Sequence, residues 1–204
     1  RFSLHSSIQH LSQAIERACQ AEALGYEAMF IADSHMDCMD PFQILAVCAG
    51  QTKRLRLGTA VTNMVYRDPT VLAGSSATLN EIAGGRAILG MGTGDGPVYT
   101  LGRKATPIAK FEEGLKTMRE LLQGRPVEFP TGKVGLKVGR LPVPLYASVE
   151  GPLGLRAAGR FGSDFGDCLP PWLTGDRGLR AGARGKVSWA TSGFLGRYRV
   201  FQLL

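Results

Sequence analysis

Short apolar runs alternate with amphipathic stretches along most of the chain, and each alternation marks a strand and a helix. Phe2–His5 reads as a weak strand. Ser7 is expected to cap a helix carrying Ile8, Leu11, Ile15 and Ala18 on one stripe, ending at Gly25. Ala28–Ala32 is a continuous apolar strand. Asp40-Pro41 pairs a capping acid with a proline suited to the first helical position, and opens a helix through Ala49. Leu55–Val61 reads as a strand. Asp68-Pro69 repeats the helix start, with Leu72, Ser76 and Leu79 facing inward and Gly84-Gly85 at the end. Arg86–Met91 is the next strand. Thr106-Pro107 is expected to open a third such helix, with Ile108, Phe111, Leu115, Met118 and Leu122 in phase up to Gly124. Pro126–Leu141 breaks the rhythm with glycines, prolines and two short β-like runs, Val127–Phe129 and Val134–Leu136, as a small hairpin insertion would. Pro144–Ala147, a helix from Pro152 to Phe161 and a short strand near Asp164–Cys168 complete the pattern.

Strands separated by helices form a parallel sheet, and right-handed crossovers leave two architectures, an open doubly wound sheet or a β/α barrel. Periodicity does not choose between them. Both bind ligands at the carboxyl ends of the strands. The positions of interest are therefore His5, Asp33-Ser34-His35, Thr62-Asn63, Gly92–Gly96 and Ser148–Gly151.

The stretch Gly85–Gly96, "GRAILGMGTGDG", ends in alternating glycines. It is not the dinucleotide fingerprint G-x-G-x-x-G. Counting from Gly90 and Gly92 puts Asp95 at the third position, and counting from Gly92 and Gly94 puts Pro97 there. The residues after Pro97 read as loop, whereas the fingerprint needs a helix at that point. Four alternating glycines exceed what one turn requires, so a ligand is expected close to bare backbone.

Composition is that of an ordinary globular chain: 204 residues, 44% hydrophobic and 20% charged. No apolar run approaches the ~20 residues of a membrane span, and no secretory leader is evident, so the expected setting is cytoplasmic. Cys19, Cys38, Cys48 and Cys168 are scattered as free thiols, and His5, His10 and His35 make no metal-type spacing with them. The net charge of +7 is uneven, because residues 174–204 carry six basic residues and one acid. This is a compositional break with no nucleic-acid module in it.

The segments Ala21–Ser34, Thr52–Asn63, Arg67–Asp95 and Val143–Asp164 together resemble the bacterial-luciferase-like family of flavin- and deazaflavin-dependent oxidoreductases, in particular its methylenetetrahydromethanopterin reductase-like branch. The resemblance covers about residues 1–170. It implies a TIM (β/α)8-type barrel over residues 1–173, with Pro126–Leu141 as insertion remnant. Residues 174–204 form a basic tail too short for two further βαβ crossovers of about 30 residues each. The barrel is thus expected to be truncated after about six strands, with the edges of its first and sixth strands open and poor solubility as the result. Arg197–Leu204 is the tail's one strand candidate, and deleting the tail is expected to change stability little.

The resemblance implies hydride transfer using coenzyme F-420 on a small organic or pterin-like substrate. An FMN-dependent monooxygenase and an inactive barrel fragment are the alternatives. Thr59, Ala60 and Val61 are expected to bulge beneath the cofactor ring, with a cis peptide at Ala60–Val61. Asn63 would bond the ring edge, Gly92, Gly94 and Asp95 would lie at the rim, and Ser148, Glu150 and Gly151 would meet the phosphate at a helix start. Asp33 is the first candidate for a polar contact to ring or substrate, with His35 and His5 as further catalytic candidates. His5 stands where the reductase branch has a glutamate, which departs from the pattern for a pterin substrate. A small-molecule partner, no nucleic acid, no membrane and a homo-oligomer of the full-length protein are the expected partners.

Overall fold

The computed structural model describes residues 2–139, 141–149 and 151–161, with the backbone of 189–190, 194–195 and 199–202. Strand β1 (Phe2–Ser6), helix α1 (Leu11–Ala23), β2 (Ala28–Ile31), α2 (Pro41–Gln51) and β3 (Arg56–Thr59) follow the expected alternation. After β3 come β4 (Thr62–Asn63), α3 (Pro69–Ile82), β5 (Ala87–Gly92), α4 (Gly96–Thr100) and α5 (Ile108–Leu122). An antiparallel hairpin, β6 (Val127–Phe129) and β7 (Gly132–Val134), occupies the insertion and leads to β8 (Leu145–Ser148) and α6 (Gly151–Phe161). The strand expected near Asp164–Cys168 lies outside the described residues.

β1, β2, β3, β5 and β8 pair side by side and all run parallel. This is part of a (β/α)8-type barrel wall. Alternate residues face opposite sides. Met29, Ile31, Leu57, Leu89 and Leu145 point to the helices, where α1 and α2 cover one stretch of sheet and α3 and α5 the next. Ala28, Phe30, Ile88 and Tyr146 point inward and form a smaller cluster with Ala60. Burial on both faces is why these strands read as unbroken apolar runs. Gly58 admits the inner layer, since a Cβ there would lie 2.8 Å from the Phe30 ring.

Four expectations are corrected. Helix α1 begins at Leu11, not after Ser7, and its N-cap residue His10 makes no side-chain cap bond. Ile8 belongs to the preceding loop, where it is fully buried and its carbonyl accepts the Met39 N–H at 2.8 Å. Pro107, not Thr106, stands at the N-cap of α5. A one-turn helix, α4, occupies the stretch read as loop after Pro97. Lastly, residues 199–202 form strand β11 (Arg199–Gln202), parallel to β1 from Phe2↔Arg199 to His5↔Gln202. The outer edge of β1 is therefore paired, and that edge no longer supports the expected aggregation. Two further short strands, β9 (Trp189–Ala190) and β10 (Phe194–Leu195), pair antiparallel in a tail that showed no such pattern. Among the described residues no helix is long and apolar enough to cross a membrane.

Two side chains close the amino-terminal end of the sheet. Arg86 spends all five guanidinium hydrogens there. Nε donates to the Ala83 carbonyl at 2.7 Å, and Nη1 to the Leu55 carbonyl at 2.7 Å and Thr52 Oγ1 at 3.0 Å. Nη2 donates to the Ala49 and Thr52 carbonyls, each at 3.0 Å. The carbonyls freed where α2 and α3 end are thereby satisfied by one residue. Glu22 does the converse, accepting the backbone N–H groups of Lys53, Arg54 and Leu55 at 2.6–3.1 Å.

Arg86→Lys is expected to lower stability by about 2–4 kcal/mol in urea unfolding, because an ammonium cannot span this set of acceptors and leaves carbonyls unpaired. Glu22 generates a pH-dependent prediction. Burial pushes its pKa up, but the N–H groups of Arg54, Leu55 and Lys53 outweigh that and hold it below the ordinary value. A depressed carboxyl pKa stabilises the fold above the unfolded value, about 4.3, and loses that contribution as pH falls through the folded one. The stability advantage over Glu22→Gln, about 1–2 kcal/mol at neutral pH, should therefore shrink as unfolding is repeated below about pH 4.

Candidate active site

Strand β3 does not run on through Val61 as its apolar sequence leads one to expect. It stops at Thr59, and the peptide between Ala60 and Val61 is cis. Pairing with β5 resumes at β4, one residue out of step. Gly58 faces Ile88 and Thr62 faces Met91, a step of four residues against three on the neighbour. This is a one-residue bulge. It turns Ala60 and Val61 to the same side, into a cavity of about 600 Å³ at the carboxyl ends of the strands. That volume lies in the ordinary range for ligand pockets.

Both backbone groups of Ala60 have partners at the bulge. The Ala60 N–H donates to the Ile31 carbonyl at 2.9 Å. The Ala60 carbonyl accepts from His5 Nε2 at 2.9 Å. Thr59 Oγ1 donates to the Gly90 carbonyl at 2.8 Å and accepts the Gly90 N–H at 3.0 Å, a side chain replacing a rung of the ladder. Opposite the bulge, Gly92 gives Val61 its place. A Cβ at Gly92 would sit 2.8 Å from Val61 Cγ2 and 3.6 Å from the Ser148 carbonyl.

Asp33, just beyond β2, is the buried anion of the site, with its side chain 2% exposed. Oδ2 accepts from Thr62 Oγ1 at 2.6 Å and Arg67 Nε at 2.9 Å, and Oδ1 accepts from Arg67 Nη2 at 3.3 Å. Arg67 Nη2 also donates to Asp40 Oδ2 at 2.7 Å, while Asp40 Oδ1 caps α2 through the N–H groups of Phe42 and Gln43. The Arg67 guanidinium lies over the Phe42 ring at 5.3 Å. Burial lowers the Arg67 pKa, but its bonds to Asp33 and Asp40 outweigh that and raise it, so the arginine is a fixed cation.

The structure brings together most of the residues singled out from the sequence. His5, Asp33, Ala60, Val61, Asn63, Gly92, Gly94, Asp95 and Ser148 all line the cavity. Asn63 Oδ1 accepts the Val65 N–H at 3.0 Å, which leaves its amide nitrogen as the available donor. Gly94 has a φ of +104°, and a Cβ there would lie 2.7 Å from Val98 Cγ2. The backbone and Val98 each require glycine here. Asp95 is the N-cap residue of α4 without a side-chain cap bond. Gly151 starts α6, and Glu150 lies outside the described residues. Two readings change. Thr59 is fully buried in the sheet, and its hydroxyl is spent on both backbone groups of Gly90. His35 is exposed beside the cavity, its ring edge-on to Tyr66 at 4.3 Å.

Sequence reading passed over Arg67, which lay within a quoted segment without a role, and the lining residues Ser7, Ala32, Tyr99 and Ile108, while Ser34, Thr93 and Val149 lay within the strand-end stretches it singled out but were given no role. Ala32 adjoins a position already named. Tyr99 comes from α4, where the mistaken loop assignment concealed it, and Ile108 from the start of α5, where it was read only as part of the helix's apolar stripe. Cys19, Cys38 and Cys48 are free thiols, and burial pushes the Cys48 thiol up to about 11, which leaves it unreactive. No cluster of candidate metal ligands occurs among the described residues.

An incomplete parallel α/β wall, bulged at one strand and hollow at the strands' carboxyl ends, defines the class as a barrel-type α/β protein with a cavity where such folds take their ligands. The chain belongs to the luciferase-like monooxygenase family, whose pattern matches residues 2–169. It is 32% identical over 151 residues to 5,10-methylenetetrahydromethanopterin reductase of Archaeoglobus fulgidus, covering 70% of this chain and 45% of that one. It is 29% identical over 171 residues to an F-420-dependent glucose-6-phosphate dehydrogenase of Amycolatopsis mediterranei, covering 74% and 51%. The solved structure of the coenzyme F-420-dependent tetrahydromethanopterin reductase of Methanopyrus kandleri matches with a TM-score of 0.67 at 26% identity, covering 79% and 53%. The chain spans about half the length of these relatives.

The Asp33–Arg67 pair generates a prediction. Asp33→Asn should cost about 2–4 kcal/mol, since it leaves a partly buried cation short of its counter-charge. With Arg67→Gln added, the combined loss should fall well below the sum of the single losses. Urea unfolding of the four proteins in a double-mutant cycle measures this coupling.

Proposed function

We propose that the chain forms the cofactor-binding side of an oxidoreductase that transfers hydride with coenzyme F-420, acting on a small organic substrate. The observation that carries this reading is the Ala60–Val61 bulge over Gly92, which gives the cavity a wall two residues wide with bare backbone behind it. A planar ring system fits such a wall. A Cβ at Gly92 would drive Val61 into the space the ring needs. Relatives named for F-420 supply the choice of cofactor.

When bound, F-420 supplies the carbon that gives or receives the hydride, so no protein nucleophile is required. The remaining work falls to this chain's residues. Ala60 and Val61 would fix one ring face. The Asn63 amide would donate to the ring edge, and the α6 amino terminus after Ser148 would take the phosphate through its unpaired N–H groups. Asp33, already bonded to Thr62 and Arg67, would present an acceptor without moving. Tyr99, on α4, is 60% exposed at the mouth and would cover the substrate side. A pterin-like substrate is a narrower form of this reading, supported by the reductase relative and weakened by histidine at position 5. The free thiols favour a cytoplasmic setting, and a second copy of the full-length protein is the proposed partner.

The family's description as monooxygenases favours FMN as a second reading. Equilibrium dialysis of the 204-residue chain against each cofactor separates the two. The expected result is saturable F-420 binding at least about tenfold tighter than FMN, weakened in Gly92→Val with little change in melting temperature. Tighter FMN binding would support the second reading, and no binding of either would overturn both.

A further inference from the structure

We propose that His5 is the positioning residue of the Ala60–Val61 wall, and that in its neutral form it offers the cavity an acceptor and no proton. The second half rests on the cavity being the reaction site; the first does not. β3 ends at Thr59 and β4 begins at Thr62, so Ala60 falls in the gap where no ladder bond reaches its carbonyl. Ala60 is 6% exposed, and a buried carbonyl without a donor is costly. The donor comes from β1, two strands away, because β2 lies between β1 and β3. The His5 imidazole spans that width along the inner face of the sheet and reaches the Ala60 carbonyl at 2.9 Å.

A carbonyl oxygen can only accept, so Nε2 carries the hydrogen. A neutral imidazole has one N–H. Nδ1 is therefore bare, with no protein partner among the described residues, on a ring that lines the cavity. The acid–base role expected of His5 then meets a chemical obstacle. Giving up its only N–H proton releases the carbonyl that holds the wall. Donors on the ligand, a hydroxyl or an N–H, are what Nδ1 would recognise.

Two measurements test this. The first is the tautomer of His5 in the full chain without cofactor, read from long-range proton–nitrogen NMR at about pH 8, above the ordinary histidine pKa of about 6.5. His10→Gln and His35→Gln, both exposed positions, provide the assignment. The expected result is an Nε2–H ring whose proton exchanges slowly. An Nδ1–H ring, or a rapidly exchanging proton, overturns the proposal. The second is F-420 affinity of two variants. His5→Leu should bind about tenfold more weakly, whereas His5→Gln, whose amide can still donate to Ala60, should stay within about threefold of the parent. Equal loss in both would mean that the bond to the Ala60 carbonyl is not what His5 contributes to binding, and would overturn the positioning role. Failure of the parent chain to bind F-420 would count against the proposed cofactor, while the tautomer would still decide the role of His5.

Discussion

The site depends on an exchange of hydrogen bonds between Thr59 and Gly90. A strand can leave its ladder inside a barrel only if the abandoned backbone groups find other partners, since none can reach water there. Thr59 solves this by turning its hydroxyl sideways, donating and accepting at the same neighbouring residue. Ile31 and His5 then take the two polar groups of Ala60. With those bonds in place, the chain can put two consecutive residues on the cavity side with both backbone groups of Ala60 paired. Valine at position 59 would keep the shape and the apolar pattern but lose both bonds.

The two ends of the sheet are stabilised by opposite chemistry. At the amino-terminal end, Arg86 and Glu22 meet backbone carbonyls and amides, one ion to several neutral dipoles, and nothing there is left over for a ligand. At the carboxyl-terminal end, Asp33, Arg67 and Asp40 meet one another, and the remaining polar groups line open space. Asp40 belongs to both schemes. One of its oxygens caps α2 and the other holds Arg67, so the rim of the cavity is fastened to the start of a helix packed in the core.

The fold was largely legible because its signals are local. Asp40-Pro41 and Asp68-Pro69 each place a capping oxygen beside a residue that cannot donate, and both caps form as read. Unbroken apolar runs gave the strands, and their carboxyl ends gave most of the cavity lining. Failures were of two kinds. Short elements such as α4 rest on contacts made by one residue, here the fully buried Val98, and carry no period to detect. Long-range bonds leave no local trace at all. Nothing near Arg67 announces that it pairs 34 residues back with Asp33, and nothing in "LRLGTAVTN" distinguishes a bulged strand from a straight one. There the resemblance to a family supplied the position of the cis peptide, while the physical reason for it became visible only in the tertiary hydrogen bonds.

The bulge also says how narrow the margin is between a walled cavity and a flush sheet. It consists of a single surplus residue between Gly58 and Thr62 relative to β5. Losing one codon in that interval would bring the two strands back into step and restore every rung of the ladder. Such a chain would keep its helices, its core and the closure at its amino-terminal end. It would be no less a barrel, yet the wall would be flush, with alternate side chains turned away from the hollow. For this wall, the difference is an indel of length one, an event that a comparison scoring only substitutions would pass over.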